Sequence, residues 1–278
     1  MNPVKDKLII RQERPDEHYA VEEITREAHW DGNWEVEPCV CDVHLLVHRL
    51  RQCPSYVPEL NFVAELNGKL VGHIIYATSK IVDADGKEYE MLTFGPLSVL
   101  PAYQNQGIGK ALIIHSLGES KRLGYRAVLI FGHPDYYPRV GFQRAAEFGI
   151  STSDGTNFDP FMVYPLYEGA LYGIQGRYYL DPVYENLSLE DAEEFDKKFP
   201  PKELHVPVSI SVLLDRLPQS AQKAFEGFRQ KSLKFMTTKS EHEISLLDGM
   251  DSKGIEIIRA VMLEHGLRWG KPKSTTSH

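Results

Sequence analysis

The loop Gln104-Asn105-Gln106-Gly107-Ile108-Gly109-Lys110 constrains this chain more than any other feature, because of what flanks it. Before it runs Glu90-Met91-Leu92-Thr93-Phe94-Gly95-Pro96-Leu97-Ser98-Val99, a largely apolar stretch that suits a strand covered on both faces. After it, from Gly107 to about Arg122, Ile108, Ala111, Leu112, His115 and Leu117 recur at helical spacing, and Gly124 supplies a stop. Ala127-Val128-Leu129-Ile130-Phe131 then reads as a buried strand. Strand, glycine loop, helix and strand in that order make a βαβ unit with a parallel strand pair. Pro96 cannot donate to a sheet ladder, so the strand is expected to bulge or to lie at an edge there.

In that setting the loop suits an anion. Glycines let the backbone approach closely, and the helix N-terminus offers unpaired N–H groups and positive dipole charge to a pyrophosphate. It is not a dinucleotide fingerprint, since the third glycine is missing, nor a P-loop, since no Gly-Lys-Ser/Thr follows at the required spacing. Taken alone, the loop also suits a plain strand-to-helix turn that needs small residues.

The wider context decides between these. Leu97-Ser98-Val99-Leu100-Pro101-Ala102-Tyr103-Gln104-Asn105-Gln106-Gly107-Ile108-Gly109 resembles the acyl-CoA signature of the GNAT acetyltransferase superfamily, Arg/Gln-x-x-Gly-x-Gly/Ala. Downstream, Tyr137-Pro138-Arg139-Val140-Gly141-Phe142 resembles that family's Tyr-x-x-x-Gly-Phe segment, and Gly132-His133-Pro134-Asp135-Tyr136 is similar to a bacterial branch of acetyltransferases. The resemblance covers about residues 8 to 204. It implies an α/β GNAT fold: a mixed, mostly antiparallel sheet with a central, splayed parallel strand pair, to which this chain adds a small helical C-terminal unit. It also implies acetyl-CoA as cosubstrate and transfer of its acetyl group to a primary amine by direct attack on the thioester. The backbone of Leu97, Ser98 and Val99 would pair with the pantetheine arm. Amides of Gln106, Gly107, Ile108, Gly109 and Lys110 would hold the pyrophosphate, with Gln104 and Asn105 shaping the loop.

Tyr137 is the implied acid for the departing thiolate. A phenol near pKa 10 stays protonated at neutral pH and outlasts a thiol near about 8.5. The same ring also suits packing against the cofactor or Phe142, and Tyr136 and His133 are neighbours able to substitute. The base has no such assignment. Several family members carry a carboxylate midway along the strand before the loop, whereas this chain has Leu92-Thr93-Phe94-Gly95 there. Glu90, Glu65 and His73 remain as candidates, each equally suited to a surface or sheet role. A non-catalytic acyl-CoA-binding module with a partner-binding tail is the alternative reading, favoured by that missing carboxylate and opposed by Tyr137.

Elsewhere, Leu8 to Arg11 reads as a strand, and Ala20, Val21, Ile24 and Ala28 as one face of a helix. A second helix is expected from Asp42 to Gln52. Phe62 to Leu66 and Lys69 to Tyr76 flank Asn67-Gly68, the strongest short hairpin signal. Cys39-x-Cys41-x-x-His44-x-x-x-His48 offers four metal-ligating side chains, but its spacing is tighter than in zinc modules; the GNAT resemblance implies that this region lines the acceptor pocket, so it is read as buried thiols and pocket histidines without metal.

Charge divides the chain. Residues 205–278 carry 11 Lys+Arg against 8 Asp+Glu, a net +3, leaving 20 against 31, a net −11, for residues 1–204. With Pro200-Pro201 closing the first part, a boundary is placed near 205: an acetyltransferase domain over 1–204 and a helical extension over 205–278. Helices are expected over Gln219–Met236 and Ile255–Glu264. Leu246 to Ile258 resembles a helix-hairpin-helix whose hairpin lacks the usual Gly-x-Gly. The small positive charge argues against nucleic acid and for a lid or dimerisation element. No membrane-length apolar run and no signal-peptide core are present, and three cysteines are too few for a disulfide framework, so a cytoplasmic protein without membrane partners is expected.

Overall fold

In a computed structural model, the structure describes residues 8–30, 41–202, 208–225 and 233–270. The chain divides into two compact units, the first ending at Pro201 and the second starting at Lys202. The first holds strands β1 (Leu8–Gln12), β2 (Phe62–Leu66), β3 (Lys69–Val82), β4 (Glu88–Val99), β5 (Ala127–Phe131), β6 (Gln143–Arg144), β7 (Ile150–Thr152), β8 (Phe161–Pro165) and β9 (Gly176–Tyr179). Its helices are α1 (His18–His29), α2 (Val43–Leu50), α3 (Ile108–Arg122) and α4 (Leu189–Asp196).

The strands form one sheet in the order β1-β2-β3-β4-β5-β8-β6, with β9 pairing both β3 and β7. Every ladder is antiparallel except β4–β5 and β7–β9. This is the mixed sheet with a central parallel pair that the sequence implies. Asn67 and Gly68 take φ of 54° and 79°, the two left-handed residues a tight type I′ hairpin requires. β3 runs six residues past its expected end, because β9 pairs with Lys80, Ile81 and Val82 where β2 has stopped.

Side-chain alternation along β3 divides the core between two faces. Ile74 and Tyr76 pack with Leu92, Phe94, Leu112 and Ile113 on the α3 side. Ile75 and Ala77 pack with Val21, Val47 and Leu50 on the α1–α2 side. Gly72 lets α3 approach: a Cβ there would lie 3.0 Å from the Ser98 carbonyl and 3.2 Å from Leu112. Gly124, at φ 88°, closes α3 with paired bonds, Gly124 N–H to Lys121 O and Tyr125 N–H to Ser120 O.

The second unit has its own core, in which Leu213, Leu217, Ala221, Met236, Ile244, Ile258 and Val261 are buried. It is helical: α5 (Ser211–Leu214), α6 (Gln219–Lys223), α7 (Glu241–Ser245) and α8 (Ser252–Glu264). The long helix expected over Gln219–Met236 is not what forms. α6 stops at Lys223 as the chain tightens into Ala224 N–H to Ala221 O and Phe225 N–H to Gln222 O, turning Phe225 into the core, and Leu233–Thr238 is a 3-10 segment. α8 includes the other expected helix, with the Asp251 carboxylate accepting from Gly254 N–H at 2.7 Å.

Candidate active site

The site begins with the direction of main-chain groups on β4. Leu100 N–H donates to Val71 O at 2.9 Å, and the register continues Val99↔Gly72, Ser98↔His73, Leu97↔Ile74. Antiparallel ladders alternate bonded and non-bonded pairs, so Ser98 exchanges its bonds with His73. Leu97 and Val99 therefore turn their N–H and C=O groups away from β3, towards β5. There β5 does not meet them: the parallel ladder among the described residues registers Leu92 with Val128 alone. A splayed gap follows, along which this end of β4 has no ladder partner on the β5 side among the described residues.

The bulge expected at Pro96 sets this geometry. Ile74 stands opposite Leu97 and Tyr76 opposite Phe94, so Ile75 faces both Gly95 and Pro96. Within the gap, Val99 O accepts from Gln104 Nε2 at 3.1 Å. Among the described residues the N–H groups of Leu97 and Val99 are left as donors. Of the three residues expected to meet a pantetheine arm, Ser98 is turned elsewhere: its main chain faces β3, and its buried hydroxyl donates to Thr25 Oγ1 at 3.2 Å.

The gap leads to the glycine loop. Pro101–Tyr103 is a 3-10 turn, Asn105 takes φ 60°, Gly107 takes φ 87°, and Gln106 Nε2 donates to Ala102 O at 3.1 Å. Gly107 is the N-cap of α3 and no side-chain bond caps it, so the amides of Ile108, Gly109 and Lys110 lack intrahelical partners. Tyr136 Oη stands over this end, 3.2 Å from where a Cβ on Gly109 would be.

Tyr137 points elsewhere. Its half-buried ring lies against Gly132, leaving no room for a Cβ, and contacts Phe94 at 5.9 Å, Phe142 at 5.5 Å and Tyr136 at 5.1 Å between centroids. Burial pushes its phenol pKa well above the ordinary value. The two tyrosines thus divide the gap, Tyr136 at the loop and Tyr137 beside the bulge. His133 is exposed, its Nδ1 accepting from Asp135 N–H at 3.3 Å.

Of the three candidates for a base, Glu65 and His73 are engaged elsewhere and Glu90 lies in an open cleft. Glu65 accepts from Arg11 at 2.8 Å. His73 is fully buried with Nε2 2.7 Å from Asn61 Oδ1, and burial drives its pKa well below the ordinary value. Glu90 lines an open polar cleft of about 410 Å³ with Ser55, Thr78, Lys80, Glu88 and Asp181. Sequence reading missed one residue that does reach β4 near the bulge: Tyr184, whose ring lies 3.8 Å from a Cβ built on Gly95. It belongs to no motif.

The Cys/His cluster faces α4 rather than a pocket. His44 Nε2 lies 3.2 Å from Asp196, which also holds Arg26, and burial lowers the His44 pKa. His48 Nδ1 lies 3.0 Å from Glu22, and its ring tilts on Phe195. Cys41 is buried, its thiol pushed up to about 11 by burial, and Cys39 lies outside the described residues. Among the described residues no three His, Cys, Asp or Glu side chains group to hold a metal ion.

Comparison with known proteins bears on the same segment. A family profile described as the acetyltransferase (GNAT) domain matches residues 58–144. The chain is 36% identical over 101 residues to the uncharacterized N-acetyltransferase YjhQ of Escherichia coli, covering 36% of this chain and 55% of YjhQ. It is 30% identical over 132 residues to the uncharacterized N-acetyltransferase YhbS of the same species, covering 47% of this chain and 76% of YhbS. The chain belongs to the GNAT acetyltransferase family. A crystal structure of E. coli YhbS in complex with CoA shares the GNAT fold with it, at a TM-score of 0.56 and 24% identity over 66% of this chain and 94% of that one. The glycine loop and Tyr137 lie inside the matched GNAT domain, whereas α4 and the whole second unit lie outside it.

Proposed function

We propose that this GNAT protein uses acetyl-CoA to acetylate a primary amine by direct attack on the thioester. One observation carries the reading: the Leu97 and Val99 N–H groups face a gap that leads to the uncapped N-terminus of α3. A pantetheine arm presents amide carbonyls to such donors, and a pyrophosphate suits the amides from Gln106 to Lys110. Gln104 holds the strand end to the loop, and the left-handed Asn105 and Gly107 aim the amides outward. Acetyl-CoA supplies the activated acyl group. Tyr137, kept protonated by its burial, gives its proton to the departing sulfur.

The acidic first part of the chain, 20 Lys+Arg against 31 Asp+Glu over residues 1–204, favours a cationic acceptor such as a polyamine, an aminoglycoside or a lysine-bearing peptide. The helical part beyond 205 is read as an extension serving as lid or dimerisation element. The test is free-thiol release from acetyl-CoA by the purified full chain across these amines. Acceptor-dependent release is the expected result. Acetyl-CoA binding with no release on any amine would overturn the reading and favour the non-catalytic acyl-CoA-binding module.

A further inference from the structure

The glycine loop offers main-chain donors, and one side chain adds to them. Tyr136 sits in a turn after β5 that holds its backbone on both sides: its N–H donates to His133 O at 3.0 Å, and its carbonyl accepts from Arg139 N–H at 3.2 Å. The half-buried ring packs on the core and meets Tyr137 edge-on, with planes at 85°. From there the phenol reaches α3. Oη lies 3.2 Å from the position of a Cβ on Gly109, and Leu97 Cδ2 and Val99 Cγ2 each lie 3.7 Å from the same point.

That point locates the hydroxyl. Gly109 belongs to the first turn of α3, and Cα–Cβ bonds tilt towards a helix's N-terminus. Oη therefore stands on the N-terminal side of the turn, where the amides of Ile108, Gly109 and Lys110 lack intrahelical partners. The Leu97 and Val99 side chains place it beside β4 as well, on the α3 face and out of the plane of the strand's own N–H groups. On the reading above, this is the corner where an arm lying along β4 passes into a phosphate at α3. Among the described residues nothing pairs with the hydroxyl, and burial raises its pKa above the ordinary 10, so it keeps a proton to donate at neutral pH. Gly109 permits the arrangement, since a methyl group there would crowd Oη below the 3.4–4 Å of ordinary contact.

We propose that the Tyr136 hydroxyl is a further coenzyme-binding group, donating to a pyrophosphate oxygen of acetyl-CoA at the N-terminus of α3. The inference rests on the binding part of the reading above and not on the transfer step. A phosphate oxygen is anionic and accepts from several donors at once, so the phenol joins the loop amides instead of competing with them, and a hydrogen bond to an ionised oxygen is about twice as strong as a neutral one. The adjacent tyrosines then serve different steps. Tyr136 holds the coenzyme, and Tyr137 meets the departing sulfur.

The test compares the full wild-type chain with Tyr136→Phe, which keeps the ring and removes the donor. Affinities are measured by competition calorimetry for acetyl-CoA, for its dephospho form, which keeps the pyrophosphate, and for S-acetylpantetheine, which lacks it. The expected result is binding weakened about tenfold or more for the first two ligands and unchanged within about twofold for the third. With an amine of the panel, KM for acetyl-CoA should rise about tenfold while kcat at saturation stays within about twofold of wild type. Gly109→Ala should weaken acetyl-CoA binding in wild type and do so much less in Tyr136→Phe, whose ring has no oxygen to displace. Unchanged acetyl-CoA affinity, an equal loss on S-acetylpantetheine, a loss that spares the dephospho form, or a fall in kcat at constant affinity would each overturn the inference. A wild type that binds acetyl-CoA and acetylates no amine would overturn the transfer reading alone, and one that binds no acetyl-CoA would overturn both.

Discussion

Replacing Gly132 by alanine should separate the chemical role of Tyr137 from its packing. A Cβ on Gly132 would stand less than 3.0 Å from Cδ2 and Cε2 of Tyr137, against 3.4–4 Å for ordinary contact. The ring must therefore shift by about 1 Å, and it cannot do so freely, because Phe94, Phe142 and Tyr136 hold its other sides. Overpacking of this kind costs about 1–3 kcal/mol of stability. Displacing a reacting group by about 1 Å costs roughly 10²-fold in rate. Gly132→Ala should thus lower kcat by about 10²-fold while CoA affinity, which the proposed reading assigns to β4 and the α3 N-terminus, stays near wild type. The assay is thiol release at saturating acetyl-CoA, with affinity from calorimetry, run as a cycle with Tyr137→Phe. If the phenol is the acid, Gly132→Ala has little left to remove in the Tyr137→Phe background, and the double variant resembles Tyr137→Phe alone. Losses that multiply would refute the argument, since the alanine would then act by some route other than the hydroxyl.

Three further outcomes follow from the same structure. Gly107→Ala meets no atom within 4 Å but must hold φ 87°, so it should cost about 1–2 kcal/mol and weaken CoA binding, and Gly107→Asn should cost less in parallel melting and calorimetry. Arg26, 1% exposed and bonded to Asp196, should lose about 3–5 kcal/mol as Arg26→Met in urea unfolding, most of it recovered by adding Asp196→Leu. Stability should also fall on the acid side in two windows, followed as the urea midpoint against pH. His73 is held neutral with its pKa below the ordinary 6.5, so the unfolded chain takes up the proton first and stability drops as pH falls below 6.5. Glu17, lowered to about 2 by Arg11, stabilises fully above its ordinary 4.5 and ceases to do so as pH falls towards 2, so Glu17→Gln should shrink the second window, to which Asp154 also contributes, and leave the first unchanged.

Local signals recovered most of the first unit, because each carried its own physical cause. Asn67-Gly68 can fold only into a tight hairpin of the observed kind, and Pro96 demanded the bulge that now turns Leu97 and Val99 to the gap. Gly124 ended α3 through its positive φ. Long-range pairings left no such trace. Nothing in Lys80–Val82 announces β9 as its partner, and nothing in His44 or Arg26 announces Asp196, more than 150 residues away. The site divides along the same line. The loop and Tyr137 lie in contiguous motifs, whereas Tyr184 comes to Gly95 from far along the chain, in a segment with no motif to announce it.

The open stretch of β4 is blunted as well as exposed. An unpaired strand edge with alternating donors and acceptors invites another strand, and proteins blunt such edges. Here Gln104 occupies Val99 O, and the ring of Pro96 removes a donor just before Leu97. A β-strand needs both donors and acceptors from its partner, so it gains less from such an edge. On the reading proposed above, the Leu97 and Val99 amides are thereby kept for the carbonyls of a pantetheine arm.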